Sequence, residues 1–182
     1  MAKVPPMSSA RQAIVDSGPG TVVVGHSYGG EVISAAARDL PEVSHLIYLC
    51  ALMLDADEDA GTLMGAHGSE IVGAVVPEGD QLIIDRHRAG ELLYGDSDEA
   101  TVAAIVARLR PMTFSPHDTG VPAWRAVPST YVICTQDRAI APSLQRELAT
   151  HAGSVVEWPT DHSPFLTRPG EVADLIASRL SV

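Results

Sequence analysis

Five residues, Gly25-His26-Ser27-Tyr28-Gly29, constrain this chain more than any other stretch. The apolar run Thr21-Val22-Val23-Val24 precedes them, and the helical pattern Glu31-Val32-Ile33-Ser34-Ala35-Ala36-Ala37 follows. A strand that turns at once into a helix around G-x-S-x-G is the context of a nucleophile elbow. A serine hydroxyl is a poor nucleophile at neutral pH, so it has to be held exposed and close to a base, and a strained turn does this. Gly25 and Gly29 are expected to be glycine because a Cβ at either would collide with the neighbouring strand or helix.

The segments around the elbow keep the same rhythm. Ser8 and Ser9 can cap a helix over residues 10–16, which Gly18-Pro19-Gly20 stops. After the elbow a helix is expected to run to about Leu40, ended by Pro41. Residues 44–52 are continuously apolar at their centre, Leu46-Ile47-Tyr48-Leu49, which suits a parallel strand covered on both faces. Alternation then breaks down from Asp55 to about Val127, apart from an amphipathic helix over 100–109. This block reads as a cap inserted between two parts of a core, 1–54 and 128–182. Strands over 130–135 and 154–158, with helices over 143–150 and 164–180, complete an α/β pattern with a mostly parallel sheet.

A serine nucleophile needs a base, and the base needs an orienting acid. Asp137 follows the strand that ends Ile133-Cys134-Thr135, and His162 follows the one that ends Glu157-Trp158. Open parallel sheets carry their ligands at the C-terminal ends of their strands. The chain order Ser27, Asp137, His162 is the one used with this elbow. Asp55, at the end of the preceding strand, and Asp161, beside His162, are the alternative acids. His26 is expected to pack or hydrogen-bond beneath the turn. The remaining histidines show no metal-ligand spacing, so no metal site is argued. The chain has no G-x-G-x-x-G and no P-loop, and no cofactor is implied.

Charge narrows the partners. A formal net charge of −11, with Lys3 the only lysine, argues against nucleic acid and against anionic membranes. The first residues lack the apolar stretch of a signal peptide, and the apolar runs are too short to span a membrane, so a cytoplasmic location is expected. Cys50 and Cys134 end apolar runs and are expected to be buried and reduced.

Three motifs carry a family resemblance: Gly-His-Ser-Tyr-Gly-Gly, Tyr-Val-Ile-Cys-Thr-Gln-Asp-Arg-Ala-Ile-Ala-Pro and Asp-His-Ser-Pro-Phe. Over essentially its whole length the chain resembles the α/β-hydrolase superfamily, and within it small bacterial hydrolases similar to plant methylesterases and hydroxynitrile lyases. The resemblance implies an eight-stranded, mostly parallel sheet, a triad of Ser27, Asp137 and His162, and a helical cap over an apolar pocket. It also implies that the backbone N–H of Tyr28 serves as one oxyanion donor. Leu52, Leu54, Phe114, Trp124 and Phe165 are candidates for the pocket wall.

Only 26 residues precede Ser27, where the family has several further strands and a His-Gly loop that supplies the other oxyanion donor. His67-Gly68 repeats the dipeptide inside the cap with no strand before it, and reads as coincidence. Losing one such donor costs about a hundred- to a thousandfold in turnover. The fold expected is therefore a partial one, with the strand from Thr21 to Gly25 at an open edge where a second copy could pair to form a homodimer. The leading functional expectation is a serine hydrolase of small apolar carboxylic esters. A catalytically impaired binding or assembly module is the alternative. A cyanohydrin lyase stands further off, since the relatives with that chemistry use a lysine and Lys3 lies far from the motifs.

Overall fold

The computed structural model describes residues 6–79, 81–113, 118 and 120–180. Lys3 and Phe114 lie outside them. In chain order the first part of the core is α1 (Pro6–Ser17), β1 (Thr21–His26), α2 (Gly29–Ala36) and β2 (Val43–Leu49). The inserted block holds α3 (Ala60–Ala66), a hairpin of β3 (Val75–Glu78) and β4 (Gln81–Ile84), α4 (Arg86–Leu93) and α5 (Glu99–Val106). The core resumes with β5 (Ser129–Cys134), α6 (Pro142–Leu148), β6 (Ser154–Trp158), α7 (Pro164–Thr167) and α8 (Pro169–Ala177).

The core sheet has the order β1-β2-β5-β6 with every pair parallel, so the described residues supply four strands where the resemblance implied eight. Side chains alternate across its two faces. Leu46, Tyr48, Tyr131 and Ile133 pack on one face with Ile14 of α1, Ile33 of α2 and Leu144 and Leu148 of α6. Ile47, Leu49, Val132 and Trp158 pack on the other with Val172, Leu175 and Ile176 of α8. That double covering is why the strands read as unbroken apolar runs. The two buried tyrosines keep their hydroxyls satisfied: Tyr48 shares a 2.7 Å bond with Ser34, and Tyr131 donates to the Ala51 carbonyl at 2.7 Å.

Local chemistry accounts for the departures from the expected elements. The helix expected over 164–180 is two, because Pro169 has no N–H to continue α7 and restricts Arg168 before it. Helix α2 ends at Ala36, and Asp39 follows at φ 55° before Pro41. The hairpin of β3 and β4 was not foreseen. Its turn glycine, Gly79, sits at φ 66°, and β4 adds a bridge to Met112.

Strand β1 is the outermost strand, and among the described residues none pairs with its free side. Val24 there is 37% exposed. An open groove runs beside it between Ala10 and Ala13 of α1 and Val32 of α2, and Gly29 opens onto it. A Cβ on Gly29 would therefore meet nothing within 4 Å, which corrects the expectation that this glycine is sterically required. No helix of the described residues is long and apolar enough to cross a membrane.

Candidate active site

Ser27 occupies the first position after β1 at φ 55°, a left-handed conformation that costs a non-glycine residue of order 1–3 kcal/mol. The sheet holds it there. Ser27 N–H donates to the Leu49 carbonyl at 3.3 Å, and the Ser27 carbonyl accepts from Leu52 N–H at 3.0 Å and Gly30 N–H at 3.1 Å. Two glycines make the turn possible. A Cβ on Gly25 would stand 2.7 Å from the Gly29 carbonyl oxygen, and one on Gly30 would stand 2.4 Å from that of Leu52. The second glycine that sterics require is thus Gly30, one residue beyond the position expected.

Asp137 lies in the loop after β5 and is buried. Its Oδ1 accepts from the N–H groups of Ala139 at 2.7 Å and Ile140 at 3.0 Å. Its Oδ2 accepts from Gln145 Nε2 at 2.8 Å and from His162 Nδ1 at 2.7 Å. Both carboxylate oxygens are thus held by donors from the protein itself. Gln145 was not anticipated. It is fully buried, and its Oε1 accepts from Cys134 N–H at 2.8 Å, so one side chain ties the carboxylate to the last residue of β5.

A carboxylate oxygen accepts, so His162 donates to it through Nδ1–H, and in that tautomer of the neutral imidazole Nε2 carries the lone pair. The backbone of His162 is clamped as well. Its carbonyl accepts from His26 Nε2–H at 2.7 Å and from the Cys50 thiol at 3.3 Å. The His26 ring lies 4.6 Å from that of His162 and 5.0 Å from that of Phe165. Burial first, and His162 second, push the pKa of His26 down to about 3, so its ring is neutral and donates through Nε2. Burial likewise pushes the Cys50 thiol up, which keeps it protonated as a donor. Both cysteines are free and buried. Side-chain ligand atoms of His26, Cys50 and His162 come within 4.8 Å of one another; of these side chains, His26 Nε2 and Cys50 Sγ bond the His162 carbonyl, and His162 Nδ1 bonds Asp137.

The two alternative acids are engaged elsewhere. Asp55 pairs with Arg125, which holds its carboxyl below the usual range. Asp161 accepts from Ser163 N–H at 2.9 Å and from Asp96 N–H at 3.1 Å, and burial raises its carboxyl. His67 bonds Ser143 and Glu147 of α6 and is not among the residues that line the cavity with Ser27.

Ser27, Tyr28 and His162 share the wall of a cavity of about 350 Å³, within the usual range for small-molecule sites. Ser27 Oγ makes no hydrogen bond to His162; in unliganded sites such contacts are often long and tighten with substrate. Of the candidate wall residues, the structure places Leu52 and Phe165 in the cavity lining, and the cap adds Met64, Leu82, Ile83 and Met112. Leu54 and Trp124 belong to the core instead. The Trp124 indole donates to the Leu54 carbonyl at 3.2 Å and its ring stacks on His151, which turns both residues away from the cavity. The cap residues were missed because the hairpin that carries them was.

A strand-end serine at positive φ, followed by a helix and lining one cavity with a histidine that bonds an aspartate, both from later strand ends, defines an α/β hydrolase by class. The chain belongs to the alpha/beta hydrolase family, whose model matches residues 6–175. The alpha/beta hydrolase nvfD of Aspergillus novofumigatus is 30% identical over 175 residues, covering 88% of this chain and 70% of that protein. Among solved structures, a pyrethroid hydrolase from Sphingobium faniae superposes with a TM-score of 0.78 at 22% identity, over 97% of this chain and 78% of its own. Tomato methylketone synthase I, complexed with 2-tridecanone, gives 0.78 at 21% identity over 96% and 78%.

Proposed function

We propose that this protein hydrolyses a small apolar carboxylic ester through an acyl-enzyme on Ser27. The observation that carries the reading is the 2.7 Å bond from His162 Nδ1 to buried Asp137, which leaves Nε2 as a base on the cavity that Ser27 also lines. Ser27 Oγ attacks the ester carbonyl carbon, its proton passes to His162 Nε2, and the carbonyl electrons move onto oxygen. The Tyr28 backbone N–H, at the start of α2, donates to that oxyanion. Collapse expels the alcohol, which takes the proton from His162. Water then attacks the acyl-enzyme with His162 as base, and the acid leaves with Ser27 restored. Asp137 holds the imidazole in one tautomer throughout. A pyrethroid hydrolase among the similar structures is in keeping with hydrolysis.

A fluorophosphonate probe tests this directly. Labelling is expected at Ser27 and is expected to vanish in Ser27→Ala; a folded wild-type protein that does not label would overturn the reading.

A second reading, an assembly module, is favoured by one observation, the open edge of β1 with its exposed Val24. Two copies could pair this strand antiparallel about a two-fold axis. Light scattering is then expected to give a dimer, and a dilute monomer would exclude it.

A further inference from the structure

The lining of the cavity holds no aspartate and no glutamate, and Arg110 is its only arginine or lysine. Among the described residues, Arg110 makes no hydrogen bond and no ion pair. The other cap arginines of known contact are committed: Arg86 donates to the carbonyls of Val106 and Leu109, Arg88 to Glu70, and Arg125 to Asp55. The backbone on either side of Arg110 is tied down. Arg86 holds the Leu109 carbonyl at 2.8 Å, and Met112 exchanges two bonds with Leu82 of β4, at 2.8 and 2.9 Å. An exposed, unpaired arginine thus stands in the lining of a cavity that holds no carboxylate side chain, in a chain of net charge −11.

We infer that the ester taken by this site carries a second, free carboxylate that pairs with the guanidinium of Arg110, as in the half-ester of an aliphatic dicarboxylic acid. The inference rests on the ester-hydrolase reading for the reaction, and on Arg110 alone for the recognition. Ser27 and His162 work from the core side while Arg110 comes from the cap, so an apolar chain between the two carboxyl functions would lie along Leu82, Ile83 and Met112. At about 30 Å³ for each water-sized group, the cavity of about 350 Å³ holds roughly a dozen, close to the size of monomethyl suberate. A guanidinium meets a carboxylate through paired charge-assisted bonds, whereas a neutral ester end offers it only weak acceptors.

The test compares monomethyl suberate with dimethyl suberate on the full chain. Wild type is expected to favour the half-ester about fivefold to tenfold in kcat/KM, mainly through KM, and the preference is expected to fade towards about 0.5 M salt. Arg110→Ala is expected to lose that preference, lowering kcat/KM for the half-ester about fivefold to tenfold more than for the diester. Arg108→Ala, an exposed arginine outside the cavity lining, is expected to change neither. Calorimetric titration of octanoate into Ser27→Ala, with and without Arg110→Ala, reads recognition without turnover, and the second substitution is expected to weaken binding about fivefold or more. Equal rates on both esters with no effect of Arg110→Ala would overturn the inference and leave the hydrolase reading standing. Arg110-dependent octanoate binding in a wild-type protein that neither labels with fluorophosphonate nor turns over would do the reverse. Octanoate binding indifferent to Arg110 would overturn it whatever the rates.

Discussion

The two walls of the cavity are built in opposite ways. On the core wall, Asp137 is held through both oxygens, His162 through its ring and its carbonyl, and Ser27 through its N–H and carbonyl. All of this hangs from the ends of strands that the parallel sheet fixes. Across from it, the cap wall is a short hairpin and the turns around it, apolar apart from Tyr94 and Arg110. Ion pairs from Arg138 to Glu70 and Glu91 and the reciprocal bonds between Asp96 and Asp161 fasten the cap to the loops that carry Asp137 and His162. The difference teaches where each property resides. Preorganised polar groups belong where the backbone is already paired, and size selection belongs where side chains can change without disturbing that pairing.

The contrast is broken most decisively at the serine. Ser27→Ala is expected to cut turnover of a short p-nitrophenyl ester by about 10⁴ or more, His162→Ala to match it, and the double variant to be barely worse, because the residues act as a unit. Initial-rate kinetics check this, and full activity in Ser27→Ala would place the chemistry elsewhere. Next comes the elbow itself. Gly30→Ala drives a Cβ to 2.4 Å from the Leu52 carbonyl oxygen and is expected to cost about 1–3 kcal/mol in urea unfolding. Gly29→Ala, facing open space inside α2, is expected to be neutral or stabilising by up to about 1 kcal/mol.

The clamp behind His162 sharpens the comparison through pH. His26 has its pKa lowered from 6.5 to about 3, so between those values the unfolded chain binds the extra proton. Stability is therefore expected to fall as the pH drops from 7 to 5, by about 1–2 kcal/mol from this group, and a His26→Gln variant should show a correspondingly shallower decline in its urea midpoint. The smallest effect belongs to the cap wall. Ile83→Val removes one methylene from the lining, worth about 0.8 kcal/mol, and is expected to raise KM for an apolar ester about threefold to fourfold with kcat unchanged. A kcat effect at Ile83 as large as one on the core wall would dissolve the distinction.

Much of the core wall was legible because its signals are local. The elbow is a pattern of neighbours, β-branched strand, glycines and helix, and β6 falls on the residues expected of it, Ser154–Trp158. Asp137 and His162 stood out as polar residues a few positions after the ends of expected strands. Their partners did not. Gln145 looks like any helix glutamine until α6 packs against β5, and the His26 and Cys50 bonds to the His162 carbonyl span 136 and 112 residues. The same holds for Leu54 and Trp124, 70 residues apart, whose apolar character alone could not separate core from cavity.

By itself, then, the sequence determined the α/β order of elements and the turn that presents Ser27, since periodicity and glycine placement act over a few residues through backbone sterics. Which glycine bears the close approach, which glutamine holds the acid, and which cap residues meet the core to enclose the cavity were decided only by tertiary structure. Those outcomes depend on the distance between segments far apart in the chain, and the packing of the sheet and its cap sets that distance.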